Sequence, residues 1–154
     1  MKKNGVTFAK WGFGAYCLLM LWLLFGQRIG TGAYGDPWQN INPELFSTIK
    51  WYVYTLREVE DPEHRRQAVI NLVGNVVMFV PAGFFLPVLF EKARNIFVFL
   101  LSALGIIFAV ELTQLATALG CCDIDDLVLN LPGMLLGYLF WAAFFRKKRT
   151  EMSS

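Results

Sequence analysis

Four long apolar stretches, separated by polar segments, organise this sequence. They cover about residues 11–26, 68–90, 96–119 and 127–145. A transmembrane helix needs about 20 predominantly apolar residues, within a range of about 17–25, and the stretches are close to or above that length. The pattern therefore predicts an all-α fold, a four-helix transmembrane bundle that forms a single domain over residues 1–154. The first stretch is longer than a usual signal-peptide core, so we expect a retained helix.

The longest polar segment, residues 27–67, lies between the first and second spans. One helical stripe within it carries large apolar side chains: Leu45, Ile49, Tyr52 and Leu56. Asn42 and Pro43 fit the cap and the first position of this helix. We expect an amphipathic helix in the membrane interface, with Trp and Tyr at headgroup depth, which is compatible with packing over the mouth of the bundle. Residues 57–66 are predicted to form a turn in which His64, the single His, is solvated.

The number and placement of charges support the membrane class and predict an orientation. Charged residues make up 17% of the chain, whereas soluble domains carry about 25%. Nine of the fourteen Lys and Arg residues lie before the first span, between the second and third, or after the fourth. The positive-inside rule then places both termini in the cytoplasm and residues 27–67 outside. The basic tail Arg146–Arg149 fits a cytoplasmic anchor, and we expect no nucleic-acid binding.

The three cysteines do not indicate a disulfide framework. Cys17 lies in the first apolar stretch and is predicted to be a small core residue. Cys121 and Cys122 are adjacent, in the turn between the third and fourth spans. They form either two free thiols, which we favour, or a vicinal disulfide.

Polar residues inside the spans indicate a functional site. Glu111 lies within the third span, where a charged side chain costs about 2.5–3.5 kcal/mol, and Gln114 shares its helix face. Counting about 1.5 Å per residue from the outer end of each span places Glu111 roughly 12 Å deep and Gln114 roughly 7 Å deep. The same count places Asn75 roughly 10 Å deep, and Asn71 and Asn130 roughly 5 Å deep. The sequence therefore predicts a polar pocket in the outer third of the bilayer, although each residue alone could simply lock neighbouring helices together.

Acidic and basic residues near this depth extend the predicted site. Three carboxylates stand in the turn over the same opening: Asp123, Asp125 and Asp126. Such oxygen ligands suit Mg²⁺ or Ca²⁺, but acids also favour a helix N-terminus and could cap the fourth span. The candidate partners for Glu111 are Arg65, Arg66, Arg57 or a bound metal ion, because an opposite charge stabilises a carboxylate within a bilayer.

The order and spacing of these residues resemble the VanZ-like family of small bacterial membrane proteins. The similar stretches are Asn71–Gly83, Glu111–Gln114 and Asp123–Asn130, followed by Gly133 and Gly137, and also Asn40–Tyr52. The resemblance implies an association with resistance to the lipoglycopeptide antibiotic teicoplanin. It implies functional roles for Asn71, Asn75, Glu111, Gln114, Asp123, Asp125, Asp126 and Asn130.

The chain departs from the family pattern at two places. Many relatives have an Arg just before the acidic turn, where this chain has Leu119 and Gly120. Relatives also tend to have an aromatic residue before the first Asp, where this chain has Cys122. If the family's Arg serves a ligand phosphate or pairs the acids, Arg65 or Arg66 has to replace it.

Two functions are open at this point, both in a multi-pass protein of the bacterial cytoplasmic membrane. In the first, the pocket binds a lipid-linked envelope precursor or a lipoglycopeptide-type molecule. Its binding residues would be Asn71, Asn75, Gln114, Asn130, Arg65 and Arg66. In the second, the protein is a membrane-embedded enzyme that modifies an envelope lipid, with Glu111 as acid or base and Mg²⁺ or Ca²⁺ on the acidic turn. Asp125 and Asp126 would then be catalytic, but no known catalytic motif supports this function, and a transporter ranks last.

Overall fold

The structure, a computed structural model, describes residues 3–26 and 41–146. Its helices are α1 (Lys3–Leu24), α2 (Ser47–Glu58), α3 (Pro62–Leu89), α4 (Ile96–Thr117) and α5 (Ile124–Trp141). A 3₁₀ helix, Glu91–Arg94, joins α3 to α4, and a π-helical turn, Ala142–Arg146, follows α5. Two short strands, β1 (Ile41–Asn42) and β2 (Cys122–Asp123), pair in parallel.

The helices confirm the predicted all-α fold. Helices α1, α3 and α4, and the stretch from Ile124 to Phe145, are each long and apolar enough to cross a membrane. The chain is therefore a multi-pass membrane protein, with α2 between its first and second spans. Part of the predicted outer segment, residues 27–40, lies outside the described residues, as does most of the basic tail.

Helix α3 begins earlier than the sequence predicted. Its cap is Asp61, whose side chain accepts a hydrogen bond from the Glu63 N–H at 3.3 Å, and Pro62 stands at the start of the helix. Residues 62–66, predicted as part of a solvated turn, are therefore helical. His64 is exposed and contacts Asp61 on the first turn. The loop between α2 and α3 shrinks to residues 59–61.

The start of α2 was also predicted wrongly. Helix α2 begins at Ser47 and not at Pro43, and Phe46 before it adopts a left-handed backbone with φ 65°. Asn42 belongs to β1, and its side-chain amide donates to the Ser47 hydroxyl at 2.9 Å and the Thr48 hydroxyl at 2.8 Å. Asn42 therefore contacts the first residues of α2 from strand β1, and the cap position itself is occupied by Phe46.

Helices α3 and α5 form the most closely packed pair of the bundle, through glycines. A Cβ atom on Gly83 would lie 1.9 Å from the Met134 carbonyl oxygen, and one on Gly133 would lie 2.0 Å from that of Val76. Gly137 would meet the Val80 carbonyl oxygen at 2.0 Å in the same way. Gly133 and Gly137 thus form a small face on α5, where only hydrogen fits between the two backbones.

The remaining spans pack around this pair. Helix α4 buries one stripe along its length: Phe99, Ala103, Ile107, Glu111 and Gln114. At its beginning, the Phe99 and Tyr138 rings lie 4.5 Å apart, and the Tyr138 hydroxyl donates to the Arg94 carbonyl oxygen at 2.7 Å. Helix α1 is tied to α3 by Tyr16, whose hydroxyl donates to the Met78 carbonyl oxygen at 2.9 Å. The polar end of the α4 stripe thus lies at the end of the bundle where α3 and α5 begin.

We expect Gly133→Ala to lower stability by ~1–3 kcal/mol, because the added methyl group forces the α3 backbone away from α5. Gly105→Ala is the matched control, since a Cβ atom there meets nothing within 4 Å and alanine favours the helix. Thermal unfolding in detergent measures both variants. Equal melting temperatures for the two variants would contradict the close approach of α3 and α5.

Candidate functional site

Glu111 is held at the base of the acidic turn. Its carboxylate accepts a hydrogen bond from the Asp123 backbone N–H at 3.2 Å, and only 3% of the residue is exposed. Gln114, on the next turn of α4, is also buried. Both side chains therefore face the interior of the bundle, as expected for polar groups within a membrane span.

The first two carboxylates of the acidic turn hold the start of α2 in place. Asp125 is fully buried and accepts hydrogen bonds from the backbone N–H groups of Phe46 at 2.5 Å and Ile49 at 3.0 Å. Asp123 accepts from the Thr48 hydroxyl at 2.5 Å and caps α5 through the Asp125 N–H at 2.9 Å. These two residues thus accept hydrogen bonds from N–H groups that have no partner within the helix, at two helix N-termini where negative charge is favoured.

The third carboxylate belongs to a different set of contacts. Asp126 accepts a hydrogen bond from the Asn75 side chain of α3 at 2.5 Å. Asn130 lies one turn deeper on the same face of α5, with 3% of its surface exposed. Among the residues that the structure describes, nothing pairs with the Asn130 Oδ1 atom. The carboxylates of Glu111 and Asp126 both lie close enough to Cys122 to raise the pKa of its thiol. We call Glu111, Asp126, Asn130 and Asn75 the polar cluster.

Three of the predicted binding residues lie apart from these contacts. The Asn71 side chain donates to the Gln67 carbonyl oxygen of its own helix at 2.9 Å. Arg65 and Arg66 are exposed, and Arg66 pairs with Glu63 on the preceding turn at 2.6 Å. The two arginines line a groove of about 410 Å³ between α2 and α3, with Leu56, Glu60, Pro62 and Val69. No contact described here joins them to Glu111, so their predicted role as its partners gains no support.

The predicted metal site on Asp123, Asp125 and Asp126 does not form. Within residues 3–26 and 41–146, no three His, Cys, Asp or Glu side chains are arranged to hold a metal ion. The physical reason is orientation: Asp125 turns toward the backbone of α2, whereas Asp126 turns toward Asn75 on α3. This orientation gives Asp125 a structural role at the start of α2, and its catalytic role stays a prediction.

Cys121 and Cys122 are free thiols beside the acidic residues, as favoured from the sequence. Burial raises the pKa of the Cys122 thiol above its ordinary value, and the carboxylates of Glu111, Asp123 and Asp126 raise it further. Burial is also the main cause of the raised pKa of Cys121. Both thiols are therefore poor nucleophiles at neutral pH, since the thiolate is the reactive form.

An apolar groove of about 480 Å³ lies between the last turns of α1 and α4. Its lining residues are Leu21, Trp22, Phe25, Gly26, Thr113, Thr117 and Leu119. The Thr113 hydroxyl donates to the Ala109 carbonyl oxygen at 2.7 Å, and the Thr117 hydroxyl donates to that of Thr113 at 2.7 Å. With both hydroxyls bonded to the helix backbone, the groove presents a surface suited to an alkyl chain.

Sequence reasoning missed the residues that join the outer segment to the acidic turn. These are Asn42 and Thr48, whose side chains both donate to Asp123, and Phe46, whose N–H donates to Asp125. The hydropathy pattern carries no signal for such contacts. The resemblance of the segment from Asn40 to Tyr52 to the VanZ-like family was the signal that could have found them.

We expect Asp125→Asn to lower stability by ~1–3 kcal/mol, because one of the two N–H groups at the start of α2 loses its acceptor. Amide hydrogen exchange at Phe46 and Ile49 should also become faster. Exposed Glu58 provides the matched control as Glu58→Gln, with the same loss of charge. A variant whose α2 amides exchange as slowly as those of the parent would show that Asp125 does not hold the helix.

We expect maleimide to react slowly with Cys121 and Cys122 at pH 7, because the raised pKa leaves few thiolates. The rate should rise about tenfold per pH unit below that pKa. Glu111→Gln should accelerate the reaction at fixed pH, since removing a nearby negative charge lowers the pKa. Measurements in a Cys17→Ser background, with Glu58→Gln as control, test this. Rates like those of free cysteine, unchanged by Glu111→Gln, would contradict it.

Comparisons with known proteins identify the family of this chain. A search of curated proteins and of solved structures found no match. The family model described as VanZ/LLP1 matches residues 13–146, which include most of the first span, the other three spans and the acidic turn. The chain therefore belongs to the VanZ/LLP1 family.

Proposed function

We propose that the protein binds a lipid-linked envelope precursor, or a lipoglycopeptide-type molecule, from the outer leaflet of the bacterial cytoplasmic membrane. The observation that carries the proposal is Glu111, a carboxylate with 3% exposure inside an apolar span. An ionisable side chain in such a place is costly and marks a functional site by default. The polar group of the ligand would bind at the polar cluster.

The groove between α1 and α4 supports the lipid-tailed character of the ligand. It lies at the end of α4 that carries Glu111, and its volume of about 480 Å³ is within the range of small-molecule sites. The ligand's acyl chain would lie along this groove while its polar group reaches inward. Inside a bilayer, an acyl chain packs about as well against lipid as against protein. The groove would therefore contribute to the position of the ligand more than to its affinity.

The orientation of the chain decides which leaflet supplies the ligand. The distribution of Lys and Arg residues favours cytoplasmic termini, and the polar cluster then faces the outer leaflet. Lipid-linked precursors of the cell wall are used on that side, and lipoglycopeptides bind there. An altered access of antibiotic to precursor would explain an association with teicoplanin resistance, as the family resemblance implies.

We expect Glu111→Gln to weaken binding of the lipid-tailed ligand by about tenfold or more, because a charged hydrogen-bond acceptor is lost from a buried site. Native mass spectrometry of protein extracted with its own lipids measures retention of the ligand. Teicoplanin susceptibility at equal protein level provides the cellular measurement. The control is Glu58→Gln, an exposed position on α2.

The proposal would be contradicted if the parent protein retains no lipid-linked species. Equal retention by the parent and Glu111→Gln would instead remove Glu111 from the binding site. A susceptibility change in Glu58→Gln as large as that in Glu111→Gln would show an indirect effect of charge.

A further inference from the structure

Three side chains of the polar cluster offer hydrogen-bond acceptors, beside the Asn75 amide that donates to Asp126. Glu111 and Asp126 contribute carboxylates, and Asn130 contributes a carbonyl oxygen with no partner among the described residues. Asn130 is 3% exposed and follows Asp126 by one helical turn, so it lies directly below the contact between Asp126 and Asn75. A buried acceptor without a donor is destabilising, and a ligand that brings a donor would supply the missing hydrogen bond.

From this arrangement we propose that the polar cluster binds a primary ammonium group. The proposal rests on the proposed function and specifies its ligand as a lipid-tailed molecule with an amine on its head. An ammonium group has three donors and no acceptor, which matches two carboxylates and an amide carbonyl. Hydrogen bonds between charged groups are also about twice as strong as neutral ones.

The match does not require any carboxylate to be vacant. An ionised carboxylate offers about four acceptor sites on its two oxygens, so Asp126 can bind Asn75 and an ammonium group together. Glu111 likewise accepts the Asp123 N–H through one oxygen, Oε2. Neither of these two contacts by itself excludes an ammonium group from the same carboxylate.

Charge argues against an anionic group at the same place. A phosphate would approach the carboxylates of Glu111, Asp123 and Asp126, which all lie close enough to raise the pKa of Cys122. Like charges brought together at a binding site disfavour binding. Arg65 and Arg66 line the separate groove between α2 and α3, which contains no residue of the polar cluster. Any phosphate on the ligand would thus lie outside the polar cluster.

The test compares two probes that share a tail and differ in charge. Dodecylamine carries an ammonium group at pH 7, whereas N-dodecylacetamide is neutral. Their affinities for the full-length protein in detergent micelles, measured by isothermal titration calorimetry, should differ by about tenfold or more in favour of the amine. Asn130→Leu and Glu111→Gln should each reduce that preference, and Asn71→Ala, whose side chain bonds to its own helix, should preserve it.

The Asn130→Leu variant separates a loss of amine binding from a loss of folding. It removes a buried acceptor that lacks a donor, so its melting temperature should match or exceed that of the parent. Asn130→Asp provides a second variant of nearly the same shape, in which added negative charge should increase the preference for the amine.

Several outcomes would overturn the ammonium proposal. Equal affinities for the two probes would do so, as would an amine preference that Asn130→Leu and Glu111→Gln leave unchanged. Displacement of dodecylamine by calcium ions, with the same dependence on these variants, would assign the site to a metal ion instead. If native lipids without an amine are retained in a manner that depends on Glu111, the ammonium proposal fails and the proposed function stands. Parent protein that retains no lipid at all would overturn the proposed function itself.

Discussion

The end of the bundle at which α3 and α5 begin depends on the hydrogen bonds between the Asp125 carboxylate and the backbone at the start of α2. A fully buried carboxylate is strongly unfavourable unless its oxygens are paired. Here both oxygens accept backbone N–H groups, from Phe46 and Ile49, at a helix N-terminus where the macrodipole also favours negative charge. Removing either side of this contact would leave a buried charge or exposed helix donors, so the two segments stabilise each other.

The same carboxylates form a continuous connection from α2 to Glu111. The Thr48 hydroxyl donates to Asp123, the Asp123 N–H donates to Glu111, and the Asp125 N–H donates to Asp123. A change in the position of α2 would therefore move the backbone group that holds Glu111. Asp123 and Asp125 form the frame that holds these side chains, and the polar cluster of Glu111, Asp126, Asn130 and Asn75 is the proposed binding surface.

The sequence predicted the features that depend on local periodicity and missed those that depend on distant pairing. Span positions followed from apolar length, and the burial of Glu111 and Asn130 followed from the cost of polar side chains within apolar spans. Asn71 was misplaced because depth alone does not specify direction: its side chain bonds to its own helix. The beginning of α2 was misplaced because its partner, Asp125, lies 79 residues away from Phe46 along the chain. Local capping rules could not anticipate an acceptor supplied by another helix.

The bundle's packing limits how a lipid-tailed ligand would reach the polar cluster. Between α3 and α5, at Gly83 and Gly133, a single Cβ atom would come within 1.9–2.0 Å of a backbone oxygen, so this seam has no space for an acyl chain. The last turns of α1 and α4 instead flank a groove of about 480 Å³. Helix α4 also carries Glu111 on its buried face. A ligand of the proposed kind would therefore approach along α4, and the rigid α3–α5 pair would hold Asn75, Asp126 and Asn130 in a fixed arrangement while it binds.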